Sequence, residues 1–149
     1  MLKKFLSTKN GFLITKQSIA VCVILSVIFA IISGLSFTNL SNTIVGSGPD
    51  PYQYIWNADV FSNALLNGTS PFFTDRLAYP EGVSLWMHTY TPIIGMANVF
   101  TGNPYLSCNL ILWLSFVLSG LGAFLLARRY VDSFILCFLV GFVFSFSQF

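Results

Sequence analysis

Residues Ser18–Thr38, SIAVCVILSVIFAIISGLSFT, form an apolar run without a single charged side chain. The absence of charge extends from Gln17 to Pro49. A helix needs about 20 apolar residues to cross the roughly 30 Å hydrocarbon core of a bilayer, so the run is long enough to span one. Lys3, Lys4, Lys9 and Lys16 precede it. A secretory signal peptide also begins with positive charge, but its apolar region is only about 7–15 residues and ends at a small-residue cleavage site. This run is longer and has no such ending, which favours an uncleaved first span.

Composition agrees. Apolar residues make up 55% of the 149 positions and charged residues 8%, against roughly 25% charged in soluble domains. A soluble domain of this size could not hide that much apolar surface. The net charge of +2 carries no nucleic-acid signal, because all the basic residues but Arg76 sit in two groups that flank apolar runs. There is no glycine-rich phosphate loop and no Cys/His array, so nucleotide and zinc functions have no support. Cys22, Cys108 and Cys137 all fall in apolar runs. Their odd number and spacing argue against a disulfide framework.

A second apolar run covers Tyr105–Ala127 and is closed by Arg128 and Arg129; a third begins at Ser133. Lysine and arginine favour the cytoplasmic side, so the N-terminus and the Arg128–Arg129 turn are expected inside and the loop between the first two spans outside. The expected fold is an all-α integral membrane protein with three transmembrane helices and a long extracytoplasmic loop. Its layout is a cytoplasmic N-terminus over 1–17, spans over 18–38, 104–127 and 133–149, a loop over 39–103 and a cytoplasmic turn over 128–132. The third run is short and carries no flanking charge, so the chain is expected to be a fragment of a larger multi-span bundle. Ser115, Ser119, Ala123 and Ala127 recur at four-residue spacing beside Gly120 and Gly122. Small residues at that period let helices approach closely, so the second span should have a neighbour.

The loop is too long for a simple connector. Gly46–Trp56, GSGPDPYQYIW, opens it with an aspartate between two prolines. Asp50 suits a helix N-cap and Pro51 the first helical position, while Asn67-Gly68 supplies a stop. Tyr54, Ile55, Ala58, Phe61 and Leu65 would form one apolar face, predicting an interfacial amphipathic helix over about 51–66. Tyr52 and Trp56 have amphipathic rings suited to the headgroup level. Tyr79-Pro80-Glu81-Gly82 predicts a tight turn, and the apolar PIIGMANVF beyond it a return to the interface.

A basic N-terminus, one span and then Asp50 heading an interfacial helix resemble the start of GT-C superfamily glycosyltransferases. DPYQYIW, NGTSPFFTD, YPEGVSLW and NLILWLSFVLSGLGAFLLARRYV also resemble, in this order, a related family of largely uncharacterised bacterial multi-span membrane proteins. The likeness covers about residues 46–149. It implies a bacterial cytoplasmic-membrane enzyme, N-terminus inside, that moves a sugar from a polyprenyl-phosphate donor to an extracytoplasmic hydroxyl. Its partners would be membrane lipid, the lipid-linked sugar and further transmembrane helices of the same or a partner chain. GT-C members often place two acidic residues close together in this loop. Here Pro51 follows Asp50, which counts against direct two-carboxylate metal binding; whether a divalent metal is used stays open.

Asp50 is the catalytic candidate, and two compatible roles are open to it: helix cap and carboxylate that takes the acceptor's proton. The resemblance makes Arg76, as the loop's basic residue, a candidate for the donor phosphate, because arginine gives phosphate two parallel hydrogen bonds. A local ion pair with Asp75 is its other reading. Asp59, Glu81, His88, Trp56 and Tyr52 complete the candidate substrate-binding set. Their bland readings are a solvated helix face for Asp59, a turn residue for Glu81 and an interface histidine for His88. The alternative function is a non-enzymatic multi-pass protein that binds lipid or glycan or assists assembly of an envelope complex. Transport has less support, because no ionisable residue lies inside a span.

Overall fold

The computed structural model describes residues 8–34, 39–46, 48–86 and 91–147. These form five helices and one two-stranded hairpin: α1 (Thr8–Ser33), α2 (Asp50–Leu66), β1 (Phe73–Thr74), β2 (Val83–Ser84), α3 (Pro92–Thr101), α4 (Pro104–Ala127) and α5 (Phe134–Phe146). The protein is mostly helical. Two helices are long and apolar enough to cross a membrane, α1 through Lys16–Ser33 and α4 along its whole length. With 13 residues, α5 spans only about 20 Å at 1.5 Å per residue.

As a helix, α4 covers the second apolar run. For α1 the helix starts earlier and stops sooner than the hydropathy run. Gly34 (φ +66°) follows its last residue in the left-handed region, which glycine adopts without strain. The end of the expected first span, at 35–38, lies outside the described residues.

The chain divides into two compact units, residues 1–32 with 113–149 and residues 33–112. In the first, Val21 and Leu25 of α1, Val117 and Phe124 of α4 and Cys137 of α5 form the buried core. The close approach of α4 and α5 is made at Gly120 and Gly141: a Cβ on Gly141 would sit 2.6 Å from the Gly120 carbonyl oxygen. Ser145 seals the same seam by donating to the Phe116 carbonyl at 2.8 Å. The expected neighbour of the second span is therefore present, but it meets α4 at Gly120 and not along the Ser119–Ala123 line. Phe134, Phe138, Phe142 and Phe146 stack at successive turns with centroids 6.4, 6.4 and 5.2 Å apart. Phe146 then continues onto Phe116 at 5.2 Å and Phe116 onto Phe29 at 5.1 Å.

In the second unit α2 packs on α3. Gly95 allows it, since a Cβ there would fall 2.5 Å from the Cβ, Cγ and Cδ1 of Phe61. The predicted apolar face of α2 is only partly right. Ala58 and Phe61 are buried, but Tyr54 and Leu65 are exposed, and the covered row also takes in Asn57, Ser62 and Ala64. The protein's own α3 therefore takes much of the face expected to lie on the membrane.

Candidate functional site

Asp50 does not cap α2. The helix begins at Asp50 itself, and the cap position falls to Pro49 (φ −78°, ψ −27°), which gives no side-chain cap. The two prolines explain the shift, because Pro49 already holds helical dihedrals and Pro51 needs no hydrogen-bond acceptor in the first turn. Asp50 is exposed, and its carboxylate has no hydrogen-bond or ionic partner among the described residues. Its location favours negative charge, because the first turn of a helix carries the positive end of the macrodipole. Gly46 (φ +115°) and Gly48 (φ +83°) carry the chain into this turn in conformations that favour glycine. At the other end the predicted stop is present. Gly68 (φ +66°) donates to Leu65 at 3.2 Å and Thr69 to Ala64 at 2.9 Å, the paired bonds of a Schellman motif.

Asp59 and Arg76 are brought together. The Arg76 Nη1 lies 2.6 Å from Asp59 Oδ2, and the Asn63 amide donates to Asp59 Oδ1 at 2.9 Å and to the Asp59 carbonyl at 2.8 Å. Both carboxylate oxygens are thus engaged. Arg76 pairs across the loop with Asp59 and not with its sequence neighbour Asp75. Its backbone N–H is held by the buried Thr74 hydroxyl at 3.2 Å. Together with Asn63, Asn67, Ser70 and Asp75, Arg76 lines a cleft of about 350 Å³. The hairpin that presents Arg76 pairs Phe73 with Ser84 and Thr74 with Val83, and Phe72 stacks on Trp86 at 4.3 Å.

The remaining candidates are scattered. Asp59 follows Asp50 by nine residues, about 13 Å along the helix axis, so the carboxylate of Asp50 and the Arg76–Asp59 pair mark separate places on α2. Tyr52 is exposed and Trp56 half-buried on the first turns. Glu81 is exposed in a turn one residue wider than predicted: Gly82 donates to Ala78 at 3.0 Å, with Ala78 itself at φ +51° and a cis Tyr79–Pro80 bond. His88 lies outside the described residues. Among the described residues no group of three His, Cys, Asp or Glu side chains comes together.

Sequence reasoning missed the asparagines. Asn98 of α3 donates to the Ser62 hydroxyl at 2.7 Å and to the Ala58 carbonyl at 3.4 Å. Ser107 lies 2.6 Å from the Thr101 hydroxyl and donates to the Asn103 carbonyl at 2.9 Å. Asn109, fully buried, donates to the carbonyls of Leu40 at 2.9 Å and Thr43 at 2.6 Å and accepts from Val45 N–H at 3.4 Å. Asn103 caps α4, accepting from Leu106 N–H at 2.9 Å and donating to Ser41 at 3.0 Å. The available signal was an amide inside an apolar run, since a buried polar group is costly unless hydrogen-bonded. No family model, characterised protein or solved structure matches this chain.

Proposed function

We propose that the chain is a multi-span membrane protein with three crossings and its N-terminus inside, and that it serves a GT-C-type glycosyltransferase. In this reading the loop between the first two spans faces the extracytoplasmic side, where Asp50 takes the proton of an acceptor hydroxyl as it displaces a polyprenyl phosphate from the sugar. The observation that carries the reading is the carboxylate of Asp50. It stands exposed in the first turn of a rigid helix and is not consumed by capping, so the purely structural account of this residue loses its main support. General-base assistance of this kind is typically worth about 10²–10⁴ in rate.

Arg76 takes a different role from the one the resemblance implied. A guanidinium that pairs with Asp59, about 13 Å along α2 from Asp50, is too far away to hold the phosphate leaving the same anomeric carbon. Its pairing supports a role in fixing the hairpin against α2, at the rim of the polar cleft.

The deciding experiment follows sugar transfer from a polyprenyl-phosphate-linked hexose in membranes that contain the full-length protein. Asp50→Asn and Asp50→Ala should both lower the rate at least about 100-fold, and Asp59→Asn should retain most of it. Normal transfer by Asp50→Asn would refute the base assignment. The second reading, a non-enzymatic lipid- or glycan-binding membrane protein, is favoured by the fully engaged Arg76–Asp59 pair. It predicts tolerance of every Asp50 substitution.

A further inference from the structure

We propose that α3 is the helix by which the loop touches the bilayer. Ile93, Met96 and Phe100 enter the headgroup–acyl boundary of the leaflet in which α4 begins, and α2 rides on α3 as a second layer. The proposal rests on the membrane-spanning reading of α4 and not on the chemistry of Asp50.

The two faces of α3 are opposed. Gly95 and Asn98 are buried, Gly95 against Phe61 and Asn98 through its bonds to the Ser62 hydroxyl and the Ala58 carbonyl. At 3.6 residues per turn, Ile93, Met96 and Phe100 lie on the other side of the helix. All three are exposed, Phe100 at 89%. The exposed residues of α3, these three and Pro92, are all apolar. Past the row that meets α3, α2 turns Asn63 and Asn67 to the cleft that Arg76 also lines. Polarity thus rises in one direction through the unit, from the open side of α3 to the far side of α2.

Connectivity selects the occupant. Helix α3 ends at Thr101 and α4 begins at Pro104, three residues and at most about 11 Å apart. Gly102 (φ +63°) breaks the helix between them. Ser107 ties the joint, meeting the Thr101 hydroxyl at 2.6 Å and donating to the Asn98 side-chain oxygen at 3.5 Å. Nine residues along one straight helix would separate Asn98 from Ser107 by about 13 Å, so α3 turns off the α4 axis here. A spanning α4 starts at the bilayer surface, and this fixed joint keeps Phe100 there with it.

Chemistry selects lipid over protein. A protein partner would be met by hydrogen bonds and a polar rim, whereas the open face of α3 offers no donor or acceptor side chain. No Asp, Glu, Lys or Arg occurs between Glu81 and Arg128. An interfacial helix buries its apolar face about 5–10 Å deep and keeps a polar face outward. Here α2 covers the outward side, with its axis about 8–10 Å farther from the bilayer.

The test places nitroxide labels, one at a time, on the full-length protein in vesicles of phosphatidylcholine and phosphatidylglycerol. Cys22, Cys108 and Cys137 are replaced by alanine, and each variant is matched to the wild type by its helical circular-dichroism signal. Collisions with oxygen, which concentrates in hydrocarbon, are compared with collisions with a water-soluble nickel chelate. Labels on Met96→Cys and Phe100→Cys should favour oxygen, and the label on Asn67→Cys should reverse the preference. Leu118→Cys, at an exposed position of α4, reports the span itself. Oxygen preference at 118 with nickel preference at 96 and 100 overturns the proposal alone. Few collisions of either kind at 96 and 100 would give the face to a protein partner and overturn it too, as would oxygen preference at 67. Nickel preference at 118 refutes the membrane reading, and the proposal with it.

Discussion

Gly141 of α5 faces the carbonyl of Gly120 on α4 so closely that a methyl group would stand 2.6 Å from the oxygen. The backbone on the far side cannot swing away as a side chain would. Gly141→Ala should therefore destabilise the first unit by about 1–3 kcal/mol, the usual cost of overpacking. Gly122→Ala, on the open side of α4, should be close to neutral. Unfolding in mixed micelles with increasing dodecyl sulfate would separate the two. Equal stability of the two variants would mean that the helices do not meet at this seam.

The Asp59–Arg76 pair has ideal distance but poor shelter. Its side chains are 43% and 48% exposed, so solvent screens the attraction. A double-mutant cycle with Asp59→Asn and Arg76→Gln should give a coupling of only about 0.2–1 kcal/mol. That coupling should shrink further in about 1 M salt, where the screening length falls to roughly 3 Å. A coupling well above 2 kcal/mol that ignores salt would show the pair to be buried in the native protein.

The two long apolar helices were legible because they depend on hydropathy alone. The α4 limits follow from Pro104 at one end and Arg128 at the other, and the stop of α2 follows from Asn67-Gly68. What stayed illegible depends on tertiary partners. Four-residue spacing of small side chains marks two lines, Ser119–Ala123–Ala127 on α4 and Cys137–Gly141–Ser145 on α5. Periodicity does not say which line will be covered. The structure buries Cys137, Gly141 and Ser145 and leaves the α4 line on an open groove. The face of α2 was misjudged for the same reason: Ser62 reads as polar until Asn98 of α3 supplies its hydrogen bond. At the candidate site, the capping role read for Asp50 fails because Pro49 already adopts helical dihedrals. The Arg76 partner was missed because nearness in sequence favours Asp75, whereas the hairpin carries Arg76 back to α2.

Asn109 anchors residues 39–46, which carry no helix or strand of their own. Its amide N–H₂ supplies both Leu40 and Thr43 carbonyls, and its oxygen receives the Val45 N–H. An unpaired buried carbonyl costs about 1–3 kcal/mol, so loss of both donated bonds should be felt strongly. Asn109→Asp isolates the donors, because it keeps the shape and the acceptor but cannot donate when ionised. Asn109→Leu removes all three bonds. Both variants should destabilise the second unit by about 2–4 kcal/mol. Both should raise hydrogen exchange over residues 39–46 while leaving α5 protected. Should Asn109→Asp exchange like the wild type there, the clamp would owe its strength to the Val45 bond alone. Local loosening confined to 39–46 is the expected result, because no other side chain among the described residues bonds those two carbonyls.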